Sequence, residues 1–162
     1  MLSRETLIQP VHALCDTLSS GAAIPEILHH FTIKPPPIAA EYGLKSLAPF
    51  LGRDFTGQSG VADYFRLVTD ILTIHTLTFE KESTWMVDQD LHVVGLRGKG
   101  CFSWKDTGQA CEEEFFYRIE LAQEENHTAQ QGQWKVQDYR VWSDTGAAYL
   151  AHIHQIGKMV NP

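Results

Sequence analysis

The chain lacks any apolar run approaching the roughly 20 residues that a bilayer-spanning helix requires. It also lacks concentrated positive charge: 13 basic residues face 20 acidic ones, for a net charge of −7. Contact with a phosphate backbone would need an exceptional local basic cluster, and none is present. Arg97 and Lys99 lie close together but are offset by Glu112, Glu113 and Glu114 on the following run. Neither nucleic acid nor a membrane is therefore expected as a partner. Cysteine is scarce as well. Cys15, Cys101 and Cys111 suit a reducing compartment better than a disulfide framework. The segment from Met1 to Cys15 alternates polar and apolar residues without the apolar core of a signal peptide, so a cytoplasmic protein is expected. Asn126-His127-Thr128 matches the glycosylation sequon, but with no secretory signal it reads as a chance match in a polar loop.

Specific catalytic signatures are missing too. There is no Gly-x-Ser-x-Gly elbow, and no cysteine has a recognisable histidine arrangement that would make it a nucleophile. The run Gly95-Leu96-Arg97-Gly98-Lys99-Gly100 lacks Walker spacing and sits inside a strand pattern, where its glycines offer places for bulges. His29 and His30 read as a helix-end pair. His152 and His154 form a His-x-His with no third ligand in sight. No metal and no cofactor are expected.

What the sequence does contain is a change of pattern near residue 74. Before it, Leu7, Ile8, Val11, Leu14, Cys15 and Leu18 recur at helical spacing, a shorter helix fits Pro25 to Phe31, and Lys34-Pro35-Pro36-Pro37 makes a connector or lid. Ile38 to Leu44 fits a short strand, and a third helix capped by Ser59 carries Val61, Tyr64, Phe65, Val68, Ile71 and Leu72 on one face. After it the period becomes two. Strand runs are expected over Thr76 to Val87, Leu91 to Trp104, Gln109 to Ala122 and Gln133 to Ser143. A polar loop from Gln123 to Gly132 precedes the last of them. Helices before a long-stranded sheet make an α+β layer arrangement, with residues 1–146 as one domain and 147–162 as a terminal helix or tail.

This order, together with Phe50-Leu51-Gly52-Arg53, Phe55-Thr56-Gly57, Tyr64-Phe65 and the closing Trp134-Lys135-Val136 to Asp144, resembles the nuclear transport factor 2-like superfamily, particularly its SnoaL-like branch. The resemblance implies a cone-shaped barrel of strongly curved antiparallel sheet, with two to three N-terminal helices on its concave face, a cavity inside and dimers through the sheet. Members range from ketosteroid isomerase, polyketide cyclase and scytalone dehydratase to binding modules without chemistry, so fold alone does not decide function. Against ketosteroid isomerase, the catalytic carboxylate falls at or beside Glu41, while the two oxyanion donors fall near Cys15 and Phe115 and are not kept. Each such donor is worth roughly 10² to 10³ in rate, which disfavours steroid isomerisation by that constellation. The paired tyrosines and histidines of scytalone dehydratase are likewise not visible.

A three-residue loop at Asp106-Thr107-Gly108 would pair Lys105 with Gln109. Arg97 would then face Tyr117, Lys99 would face Phe115, Cys101 would face Glu113 and Val93 would face Leu121, all on one side, with the opposite side offered to a second subunit. Arg97 with Glu113 is either an exposed ion pair or a cavity pair in which a desolvated carboxylate moves protons beside arginine or tyrosine. Glu41 is likewise either a solvated loop carboxylate or a cavity group. The catalytic candidates are Glu41, Arg97, Glu113 and Tyr117; the expected ligand-lining residues are His12, Cys15, Phe31, Phe50, Phe65, Phe115, Tyr139 and Val141. The expected function is cofactor-independent isomerisation, cyclisation or dehydration of an apolar, polycyclic small molecule. The alternative is a module that binds a ligand or dimerises without turnover.

Overall fold

Strand alternation and loop chemistry together build the site, and they do so in a computed structural model that describes residues 2–124 and 132–153. Helix α1, Arg4–Ser19, is capped by the Ser3 hydroxyl and buries Leu7, Ile8, Val11, Leu14 and Cys15 at the expected spacing. Then come α2, Ile24–Leu28, and the strands β1, Ile38–Tyr42, and β2, Asp54–Thr56. Helix α3 runs Gly57–Ile71 and starts two residues before Ser59. The reason is local. Gly57 adopts a positive φ of 79° and its N–H donates to the Pro37 carbonyl at 2.7 Å, so Thr56 takes the cap position and Ser59 lies in the first turn.

The remaining strands are β3, Leu72–Phe79, β4, Met86–Asp88, β5, Val93–Trp104, β6, Ala110–Gln123, and β7, Trp134–Ser143, followed by α4, Thr145–His152. The long run expected over Thr76 to Val87 is broken. Trp85 is buried and its indole N–H donates to the Glu80 carbonyl at 3.0 Å, so the chain leaves the sheet in a short 3-10 turn at Glu82–Thr84 to insert it. The strand order is β2-β1-β7-β6-β5-β3, with β4 also on β5. Because β1 runs parallel to β7, the sheet is mixed and open where an all-antiparallel barrel was expected. The sequon and His154 lie outside the described residues; α4 buries Ala151, whose carbonyl accepts from the Thr107 hydroxyl at 3.1 Å.

Register is the main correction. Trp104 N–H donates to the Gln109 carbonyl at 3.1 Å and Gly108 N–H to the Trp104 carbonyl at 2.8 Å, so the loop is four residues, Lys105 to Gly108. One extra loop residue shifts the pairing by one and turns β5 over relative to expectation. Arg97 pairs with Phe116, Lys99 with Glu114 and Cys101 with Glu112 on the outer side, while Leu96 pairs with Tyr117 and Gly100 with Glu113 on the inner side. Both register shifts fall away from the β5 glycines, one on β3 between Ile74 and Thr76 and one between β6 and β7 beside Glu120 and Leu121.

The glycines serve close approach instead. A Cβ on Gly98 would stand 2.3 Å from the Phe115 ring, so Phe115 lies directly over the Gly98 backbone. Gly98→Ala is expected to lower stability by about 1–3 kcal/mol in urea unfolding, because the ring must move into less favourable space. The inner face is covered by α1 and α3. No described helix covers the outer face, which exposes Tyr42 stacked on Trp142 at 4.4 Å, with Phe116 beyond and Met86 61% exposed.

Candidate functional site

Between the inner sheet face and α2 and α3 lies a cavity of about 390 Å³, lined mostly by apolar side chains. Its polar groups come from strand ends. Glu41 near the end of β1 sits in a row with Val141 on β7 and Tyr117 on β6, and the next row contains Ser143 and Phe115. Glu113 lies two residues further along β6, beyond the last residue of β7. The exposed lining residues Gly21, Thr69, Thr73, Ile74 and Lys105 mark the opening. Lys105 Nζ donates to the Thr69 carbonyl there at 2.5 Å.

The two carboxyl groups are held differently. Tyr64 Oη donates to Glu41 Oε2 at 2.7 Å and Ser143 Oγ to Oε1 at 2.9 Å, so each oxygen has a fixed donor. Burial raises the Glu41 pKa, and the two hydrogen bonds pull it partly back. Among the described residues, Glu113 has only the weak Cys111 thiol at 3.3 Å on Oε1. Desolvation, with smaller contributions from the charges of Glu41 and Asp144, lifts its pKa to about 7 against the Cys111 hydrogen bond. One cavity thus holds a carboxyl group fixed by two hydroxyl donors and a second, raised to about 7, on the weak Cys111 thiol. The phenols of Tyr64, Tyr117 and Tyr139 are all raised, chiefly by burial, and remain protonated. The Tyr139 and Tyr117 rings meet edge-on at 4.9 Å.

Glu113 also imposes a pH dependence on stability. Its pKa is higher in the folded chain than the ordinary 4.5, so the native state binds the extra proton and stability falls as pH rises from about 4.5 to 7. Glu113→Gln is expected to flatten urea-unfolding stability across that window.

Of the expected site residues, Glu41, Glu113, Tyr117, Phe50, Phe65, Phe115, Tyr139 and Val141 line this cavity. The other four do not. Arg97 points outward, 74% exposed and paired with Glu80 at 3.2 Å, because of the register shift. His12 is on the exposed side of α1 between Asp16 and Glu82. Cys15 is packed in the core, where burial pushes its thiol up. Phe31 is fully buried one layer behind the wall, edge-on to Phe65 and Tyr139. The residues not anticipated are Tyr64 and Ser143 as donors to Glu41. The signal for Tyr64 was a phenol in an otherwise apolar helix stripe, since a buried hydroxyl needs a partner. Among the described residues, no three His, Cys, Asp or Glu gather as a metal site.

No family model matches the sequence, and no curated protein matches it. Solved structures do resemble the fold. An NTF2-like protein from Burkholderia xenovorans superposes with a TM-score of 0.64 at 14% identity, over 93% of this chain and 98% of that one. A ketosteroid isomerase-like protein from Erwinia carotovora atroseptica gives 0.63 at 15%, over 86% and 94%. The BvnE pinacolase from Penicillium brevicompactum gives 0.63 at 14%, over 98% and 99%. The chain has the NTF2-like, ketosteroid isomerase-like fold. None of the described helices is long and apolar enough to cross a membrane.

Proposed function

We propose that the protein is a cofactor-independent acid–base catalyst that isomerises, cyclises or dehydrates an apolar small molecule inside the cavity. The observation that carries this reading is the pair of unlike carboxyl groups in one apolar chamber. Two carboxyl groups held by unlike partners in one site can divide the base and acid roles between them. Glu41, oriented by Tyr64 and Ser143, is the base; Glu113, protonated on the acid side of about 7, is the acid. Tyr117 offers a phenol to an oxygen of the substrate.

The oxyanion donors missing at the positions of Cys15 and Phe115 therefore do not leave the cavity without acids, because Glu113 and Tyr117 enter it from β6. A cavity of about 390 Å³ suits a compact ring system with one oxygen function at the carboxyl end. Likeness to an isomerase-like protein and to a pinacolase supports a catalyst over a container. The test is a panel of apolar cyclic ketones and alcohols incubated in D₂O, with product and deuterium incorporation followed by mass spectrometry. Turnover is expected to fall in Glu41→Gln and Glu113→Gln, and kcat/KM to decline above about pH 7. Ligands that bind without conversion or exchange would favour the container.

We also propose a homodimer through the outer sheet face. Tyr42, Trp142, Phe116 and Met86 make that face more apolar than an uncovered sheet normally is. Sedimentation is expected to give a dimer that Trp142→Glu dissociates; a monomeric parent chain would overturn this assembly.

A further inference from the structure

Resting on the acid–base reading above, we propose that the substrate develops positive charge at carbon within the cavity, and that apolar tertiary or quaternary ammonium compounds are its high-affinity ligands. Three observations point to a cation. First, the chamber is lined by aromatic side chains, among them Phe50, Phe65, Phe102 and Phe115, and aromatic rings attract cations at their faces. Second, the charged groups are mostly negative. Among the described lining residues no arginine or histidine is present, and the one lysine, Lys105, sits at the opening with its ammonium on the Thr69 carbonyl. Third, the Tyr64 phenol is already committed to Glu41, whose second oxygen accepts from Ser143.

An enolate would need several donors aimed at one developing oxyanion, and the Tyr64 phenol is not free to be one of them. A cation needs the opposite, and the site supplies it. In a dehydration, Glu113 gives its proton to a substrate hydroxyl, and the C–O bond breaks with its electron pair leaving on water. The carbon is then positive, with Glu113 and Glu41 both ionised beside it. Glu41 takes a proton from the neighbouring carbon, and that C–H pair becomes the new C=C bond. Alkene and water leave, and the proton returns from Glu41 to Glu113 through solvent. Charge is thus separated only between groups already in the cavity, in a medium where attraction is strong.

The experiment compares three probes on the full chain by ligand-observed NMR at pH 8: benzyltrimethylammonium, its neutral carbon isostere neopentylbenzene, and 4-nitrophenolate as an enolate mimic. Binding of the ammonium is expected to be about 10-fold or more tighter than that of the isostere, with the ratio lost in Glu41→Gln and reduced in Glu113→Gln. Circular dichroism of each variant checks that it is folded, and neopentylbenzene affinity checks that its cavity persists. Equal binding of ammonium and isostere, or tighter binding of the phenolate, would overturn the inference. If turnover still depends on Glu41 and Glu113 while the phenolate wins, the charge assignment fails alone and the acid–base reading stands. If neither variant affects turnover, that reading is the one that fails.

Discussion

Glu41→Gln is expected to lower turnover by about 10² to 10⁴ while leaving the affinity for neutral ligands nearly unchanged, which is the usual contribution of a positioned general base. The substitution keeps the shape of the side chain. A glutamine carbonyl still accepts from Tyr64, and its amide can donate to the Ser143 hydroxyl, so both contacts at 2.7 and 2.9 Å have a counterpart. What disappears is the basic electron pair. A fall in kcat with KM preserved would show that the loss belongs to the chemical step and not to uniform binding. A variant whose KM rises with kcat unchanged would make Glu41 a ligand contact only.

Phe31→Ala should produce the largest stability change, about 3–5 kcal/mol in urea or thermal unfolding. The ring is fully buried and meets Phe65 and Tyr139 edge-on, both at 6.1 Å between centroids. Its backbone is also built in, bridging to Val136, while its carbonyl accepts from the Gln58 amide at 3.2 Å. Removing the ring leaves a void directly behind the cavity wall, into which Phe65 or Tyr139 can lean. Turnover would then suffer through misplacement of Tyr139, so the stability measurement is the cleaner readout. A loss under about 1 kcal/mol would mean that Phe31 faces open cavity and not core.

The same residues show which parts of this structure a sequence can reveal. The inward set on β6, Glu113, Phe115, Tyr117, Ile119 and Leu121, was legible because alternation along one strand is a local property. Its partner strand was not. Placing Arg97 beside Tyr117 depended on counting loop residues after Trp104, and one extra residue in that loop put Arg97 in solvent with Glu80. Helix stripes were legible at α1 and α3, but a stripe does not distinguish core from cavity: Cys15 sits in the core while Phe65 reaches the lining. The Glu41 donors were harder still, since Ser143 is separated from it by 102 positions and Tyr64 by 23. Nothing in the pattern around Ser143 announces its contact, which exists because β1 lies parallel to β7.

That parallel pair is what places Glu41 in the same chamber as Glu113, and on this chamber the functional reading rests. Carbon-13 NMR titration of protein labelled at the glutamate carboxyl carbon tests it most directly. One carboxyl resonance is expected to titrate near pH 7, to vanish in Glu113→Gln, and to move to lower pH in Glu41→Gln as the neighbouring negative charge is removed. A spectrum in which every glutamate titrates below about pH 5.5, within the ordinary spread of glutamate pKa values, would contradict the account.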